Sequence, residues 1–228
     1  MTTRARFEAK CTFAPQHLDR VLTWVRLHRS GLYEAHPERI VRNVYFDDFD
    51  LGSWRENLSG QSVRTKVRYR WYGADPEPGA GALELKHKRE TLGRKDVQTF
   101  TESPFRSAEP WQAFVARIRA ALRPELRVVF DEKPVVVLTN AYRRRYFESA
   151  DRRVRVTVDT ELAAFDQWHA RSFRRDRKLP LPPVSVLEVK VRADDVRALQ
   201  AVLAGAPARA TRFSKYAVAA ALVLGDGR

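Results

Sequence analysis

Cysteine occurs once in the 228 residues, at Cys11, which excludes an intrachain disulfide, a CxxC pair and a zinc-ribbon spacing and fits a reducing, cytoplasmic setting. Long apolar runs are missing as well. The longest, residues 217–224, is too short to span a bilayer, and residues 1–10 are charged, without the apolar centre of a signal peptide. The expectation is a soluble, cytoplasmic chain that could still dock on a membrane-protein partner. Standard nucleotide and hydrolase devices are absent: no Gly-rich loop runs into Lys-Ser or Lys-Thr, and no GxGxxG, HExxH or GxSxG occurs. Lysine is scarce, nine residues among 42 cationic ones, yet seven of the nine stand in the candidate site segments named below. Compact ammonium groups retained in a chain that otherwise uses Arg suit contact with phosphate oxygens.

What is present is positive charge on an ordinary globular background. Apolar residues make up 44%, enough for a real core, while 42 cations minus 28 anions leave a formal charge of +14. Such a balance points to nucleic acid, an anionic membrane or a phosphorylated substrate, and composition does not choose among them. The arrangement of the charge says more. Four stretches alternate apolar and charged residues with period two: Arg64, Lys66, Arg68, Arg70; Glu84, Lys86, Lys88; Arg153, Arg155; and Glu188, Lys190, Arg192. A strand sends residues i, i+2 and i+4 to one face, so these cations share a face while Val63, Thr65, Val67, Tyr69 and Trp71 pack the other way. Like charges about 5 Å apart across a sheet repel by about 3 kcal/mol per pair at an effective dielectric near 20. A polyanion, interleaved carboxylates or open water must offset that.

Periodicity predicts strands over residues 4–13, 40–46, 61–72, 83–88, 94–101, 135–147, 154–160, 162–166 and 186–192. Helices are predicted from Pro15 to about Gly31, over residues 51–58, from 109 to 122 with Ser107 as N-cap and Pro124 as stop, and over 193–203 and 214–224. Residues 73–81, rich in Gly and Pro, read as a hairpin loop, and 171–183 as an exposed basic loop. No composition shift divides the chain, so residues 1–228 are taken as a single domain. Many antiparallel-type strands with interspersed helices indicate an α+β fold, and closure into a barrel would abolish exposed edges.

Glu8, Glu84 and Glu188 each stand two residues before a lysine of the same face, Lys10, Lys86 and Lys190. A carboxylate beside an ammonium can hold a divalent cation while the ammonium grips the phosphate the cation bridges; a cross-neutralised solvent face is the plainer alternative. Asp47, Asp48 and Asp50 read as a strand-ending turn with a helix cap rather than a metal cluster. Trp71 and Trp111 lie on apolar faces and read as core, and His17, His28, His36, His87 and His169 show no mutual ligand spacing.

The segments Phe7-Glu8-Ala9-Lys10, Val44-Tyr45-Phe46-Asp47, Lys66-Val67-Arg68-Tyr69-Arg70-Trp71-Tyr72-Gly73, Leu83-Glu84-Leu85-Lys86, Tyr142-Arg143-Arg144, Arg153-Val154-Arg155-Val156-Thr157-Val158-Asp159, Leu187-Glu188-Val189-Lys190 and Arg212-Phe213-Ser214-Lys215-Tyr216 occur in an order that resembles the VTC domain. That is the polyphosphate polymerase domain of vacuolar transporter chaperone complexes, of the triphosphate tunnel metalloenzyme superfamily, which has bacterial relatives; the likeness here is to a stand-alone bacterial-type member.

The resemblance implies a closed antiparallel barrel of about eight strands with flanking helices, its lumen lined by basic residues and metal-binding glutamate. It implies Lys10, Arg68, Arg70, Lys86, Lys95, Arg144, Arg155, Lys190, Arg212 and Lys215 as phosphate-binding groups. Of these, Lys10, Arg68, Arg70, Lys86 and Arg155 join Glu188 as catalytic, and Glu188, with Glu8 and Glu84, would hold Mn²⁺ or Mg²⁺. The implied activity is polyphosphate synthesis from a nucleoside triphosphate. Hydrolysis of inorganic triphosphate or polyphosphate in the same tunnel is the alternative, or a non-catalytic module that binds polyphosphate or inositol phosphate. Nucleic acid is not an expected partner, because no stacking aromatics alternate with the cations. Two departures from the family pattern stand out: Arg6 replaces a first-strand carboxylate, and Gln98 stands where polymerase members carry a lysine.

Overall fold

Strict alternation over the chain builds a sheet with one apolar and one charged face, and the computed structural model shows nine antiparallel strands in a single sheet. Residues 6–89, 92–192 and 196–225 are described. The strands are β1 (Arg6–Phe13), β2 (Tyr33–Asp47), β3 (Val63–Tyr72), β4 (Gly81–Arg89), β5 (Leu92–Phe100), β6 (Val135–Glu148), β7 (Val154–Asp166), β8 (Ser185–Arg192) and β9 (Arg209–Ala210). The helices are α1 (Leu18–Arg26), preceded by a 3₁₀ turn at Pro15–His17, α2 (Gly52–Leu58), α3 (Trp111–Ala121), α4 (Pro124–Asp131), α5 (Val196–Leu203) and α6 (Lys215–Gly225).

The order of hydrogen-bonded neighbours is β5-β4-β3-β2-β6-β7-β8-β1-β9, which corrects the expected closed barrel of eight strands: the sheet is open. The reason lies at the edge of β1. Cys11 and Thr12 pair with Ala210 and Arg209, and the Thr211 amide donates to the Lys10 carbonyl at 2.9 Å, so β9 takes the edge that closure would need. The ends of the sheet nevertheless approach, with Cα atoms of β1 and β5 within 8 Å of each other. The sheet is thus curled, with a concave and a convex face.

Helices cover the convex face. Val44, Phe46, Val67, Tyr69, Trp71, Leu83 and Leu85 pack against Trp111, Phe114 and Ile118 of α3 and Leu126 and Phe130 of α4. Val156, Val158, Leu187, Val189 and Val191 pack with Val21, Leu22 and Val25 of α1 and Val202 of α5. Burying one such aliphatic or aromatic side chain contributes about 1.5–3 kcal/mol, so the alternating apolar residues fix which face turns outward. Gly81 opens β4 because a Cβ there would sit 2.1 Å from the Arg70 carbonyl oxygen.

Several local expectations are corrected. Ser107 does not cap α3; Pro110 precedes that helix without a side-chain cap, and the Ser107 hydroxyl donates to Glu77 instead. Pro124, expected only as a stop, opens α4, since the first turn needs no amide from it. The expected strands 154–160 and 162–166 form one strand, β7, with a register shift on its β6 partner between Ala141 and Arg143. The basic loop is exposed at Arg171, Arg175, Arg177 and Lys178, as expected, and it is also tethered: Arg174 and Arg177 meet Asp166 at 3.4 and 3.3 Å, and the Trp111 amide donates to the Arg171 carbonyl. Asp47 and Asp48 do cap α2, accepting from the amides of Gly52, Ser53 and Trp54. No described helix is long and apolar enough to cross a membrane.

Candidate functional site

Register places the charged residues on the concave face. Lys10 of β1 stands opposite Glu188 of β8, Glu8 opposite Lys190, Thr157 of β7 opposite Glu188, and Asp159 opposite Arg144 of β6. On the other side Asn43 of β2 faces Arg70, and the pairs Lys66 with Lys86, Arg68 with Glu84, and Lys86 with Lys95 run across β3, β4 and β5. Curling brings the two sides together: Lys86 of β4 feels the charges of Glu188, Glu8 and Lys190, far from it in ladder order.

Most cations of this face have a carboxylate. Glu8 meets Lys10 at 2.9 Å and Lys190 at 3.5 Å, while Glu188 meets Lys10 at 3.7 Å and pairs closely with Lys190. Burial works to raise the Glu188 carboxyl, but Lys190, Lys10 and Arg144 outweigh it and hold the group well below the usual carboxylate range. Asp159, fully buried, receives both guanidinium nitrogens of Arg144 at 2.5 and 2.7 Å and the Lys215 ammonium at 2.6 Å. Glu84 is also buried; it meets Arg68 through Nε at 2.8 Å, Lys95 at 3.0 Å and Arg70 at 3.7 Å. Its partner is therefore not Lys86, two residues on, but the guanidinium across the strand pair. Arg70 also donates to Asn43 at 3.0 Å and to the Tyr142 hydroxyl at 3.1 Å, which fixes its plane.

Besides the exposed Lys88, two lysines of the same face have no carboxylate in contact among the described residues. Lys66 donates to Asn57 of α2 at 2.6 Å and to Ser214, just before α6, at 3.0 Å, both neutral acceptors. Burial, then the fields of Lys10, Arg64, Arg68 and Lys88, push its ammonium down to about 7. Lys86, half-buried, makes no hydrogen bond or ion pair within the described residues. The Arg68 guanidinium, then burial and Lys190, lower it well below the ordinary ammonium value against the opposing pull of Glu188 and Glu8. Positive charge is thus concentrated here with no carboxylate in direct contact, Glu188 and Glu8 acting on Lys86 only through their field.

The remaining expected residues lie at the margins. Arg155 stands opposite Lys190 but is half exposed and pairs with Glu148 at 2.5 Å. Arg212 is exposed in the link between β9 and α6. Gln98 is on the convex face, where it joins α3 to α4 through Ala121 and Arg123, so its replacement of a lysine removes no charge from the concave face; Lys95 occupies the inward position of β5. The side chain of Arg6 lies outside the described part. Asp159, Asn43 and Tyr45 join the site beyond the residues that the sequence singles out. Asp159 shares the parity of Arg155 and Thr157, which is the signal that would have placed it. Tyr45 stacks on Tyr216 at 5.1 Å and so seats α6 at one end of the face.

Among the described residues no group of three or more His, Cys, Asp or Glu side chains converges as a metal cluster. Similarity to known proteins agrees with this architecture. The structure resembles that of HpAC1 from Hippeastrum, proposed as an adenylyl cyclase and found to have a dominant triphosphatase activity, with TM-score 0.58 and 14% identity over 95% of this chain and 94% of that one. It also resembles a Vibrio parahaemolyticus protein proposed as an adenylate cyclase, with TM-score 0.53 and 12% identity over 93% and 97% of the two chains. At these identities the likeness is one of fold. The sequence has no match among curated proteins. The family model of the VTC domain matches residues 5–224, and on that match the chain belongs to the VTC domain family.

Proposed function

We propose that the concave face binds a nucleoside triphosphate and transfers its terminal phosphoryl group to the end of a growing polyphosphate chain. The observation that carries this reading is the pair Lys66 and Lys86, opposite one another in register, both depressed and neither with a carboxylate. Such a pair is repulsive when both groups are charged, and bound phosphate oxygens favour the ammonium form of each. Arg68, Arg70, Arg144 and Lys10 stand around them already oriented by Glu84, Asn43, Asp159 and Glu8. Preorganised donors of this kind stabilise charge as it shifts among phosphoryl oxygens, the main demand of the reaction. In the transfer, a terminal oxygen of the acceptor attacks the γ-phosphorus. The bond from that phosphorus to the β,γ-bridging oxygen breaks, and its electron pair leaves with the nucleoside diphosphate.

A divalent ion suits part of this donor set. Glu8 and Glu188 lie on adjacent strands with their charges in mutual repulsion, and Mg²⁺ commonly uses one or two carboxylates beside substrate phosphates. Glu188 and Glu8 would hold Mn²⁺ or Mg²⁺, which supplies charge neutralisation to phosphate oxygens. Glu84 is a poorer ligand because three cations, Arg68 and Arg70 among them as guanidinium groups, hold its oxygens, whereas Glu8 and Glu188 share only the two lysines Lys10 and Lys190. Its role is to position guanidinium groups.

Hydrolysis of triphosphate is the second reading, with water as acceptor, and the fold shared with HpAC1, which has that activity, favours it. The discriminating experiment is incubation of the purified protein with ATP, or with tripolyphosphate, and Mn²⁺ or Mg²⁺, followed by product separation. Polyphosphate longer than the input supports the polymerase. Orthophosphate alone supports the hydrolase, and binding without turnover overturns both in favour of a binding module.

A further inference from the structure

At the end of the concave face away from α6, β2 carries Pro37 within the strand, and its register against β6 shifts: His36 pairs with Tyr146 and Arg39 with Arg144. Three residues of β2 thus span two of β6. A bulge of this kind absorbs the odd residue, so His36 and Arg39 face the same side as Tyr146 and Arg144 instead of alternating. The consequence is a cluster of π surface at the mouth. The Arg39 guanidinium lies 5.8 Å from the Tyr72 ring centre and 5.9 Å from that of Tyr146, and the His36 ring meets Tyr146 edge-on at 5.7 Å. Arg39 has no carboxylate partner among the described residues, and Tyr72 is 48% exposed. Tyr72 shares strand parity with the buried Arg70, two residues inward, and Tyr146 shares it with Arg144.

A half-exposed tyrosine beside an unneutralised guanidinium, one step outward from two phosphate-type arginines, has the chemistry of a nucleobase platform. We propose that the base of a nucleoside triphosphate stacks at this mouth on Tyr72 and Arg39, with its phosphates directed inward to Arg70 and Arg144. This rests on the reading of the concave face as a triphosphate site. Stacking on π surface uses no base edge, so the platform accepts any base.

The test compares ATP with tripolyphosphate, which lacks a base, by calorimetric titration of the wild-type protein and of Tyr72→Ala, Tyr72→Phe and Arg39→Ala. Tyr72 is exposed enough for its loss to leave the fold intact, which thermal melting checks. The expected result is that Tyr72→Ala weakens ATP binding about tenfold, leaves tripolyphosphate within about twofold, and is rescued by Tyr72→Phe, with Arg39→Ala weakening ATP more than tripolyphosphate. Unchanged ATP binding in Tyr72→Ala, or equal weakening of both ligands, would overturn the platform while leaving the triphosphate site standing. A wild-type protein that binds neither ligand would overturn the site itself.

Discussion

On the wall built from β6, β7, β8 and β1, each of these cations has a carboxylate in contact: Arg144 and Lys215 share the buried Asp159, and Lys10 and Lys190 share Glu8 and the buried Glu188. On the facing wall, Glu84 serves Arg68, Arg70 and Lys95, while Lys66 and Lys86 beside them have only neutral acceptors or none. The first wall is electrostatically complete and can stand without a ligand. The second is complete only when an anion is bound. Charge of one type, on strands of one sheet, therefore does two jobs, and the position of the carboxylates separates them.

The largest effect is expected where the complete wall is broken. Asp159→Ala leaves Arg144 and Lys215 without their carboxylate, and removing one partner of a buried pair typically costs about 3–5 kcal/mol, so chemical denaturation is expected to show a severe loss of stability. Next in size, Glu188→Ala is expected to abolish metal-dependent turnover of ATP or tripolyphosphate while metal-free anion binding is retained; unchanged turnover would remove Glu188 from its assigned role. Lys86→Gln, on the incomplete wall, is expected to weaken tripolyphosphate about tenfold, as for loss of one charge-assisted contact, without lowering the melting temperature. A drop in both would place Lys86 with the structural cations.

The smallest effect concerns pH. Lys66 titrates near 7 in the folded protein, against its usual 10.5, so between those values the unfolded chain holds a proton that the native state has lost. Its burial as a cation therefore destabilises fully below pH 7, and the penalty disappears as pH rises toward 10.5. Lys66→Gln is expected to raise the melting temperature at pH 6 and to leave it almost unchanged at pH 10. A pH-independent gain would show that packing, not charge, is responsible.

The alternation of β3, β4, β7 and β8 was readable because period two is a property of a single strand. So was the Asp47 and Asp48 cap, which is local. What was hidden depends on partners distant in sequence. Glu84 reads as the partner of Lys86 at two residues' spacing, as Glu8 is of Lys10 and Glu188 of Lys190, yet register sets it opposite Arg68, whose guanidinium takes it. The open sheet was hidden for a similar reason, since the two-residue β9 that takes the edge of β1 is too short to show a pattern. The length of β2 was missed at its outer end because Pro37 interrupts the strand signal, and that bulge turns out to aim Arg39 at the mouth.

Proton uptake shows most directly whether the β3 and β4 wall is incomplete until a polyanion binds. Tripolyphosphate is titrated into the protein at about pH 9, where Lys66 is mostly neutral, in two buffers of different ionisation enthalpy. Net proton uptake is expected on binding, lost in the Lys66→Gln, Lys86→Gln double variant. Binding with no proton uptake, or with uptake unchanged in that variant, would contradict it.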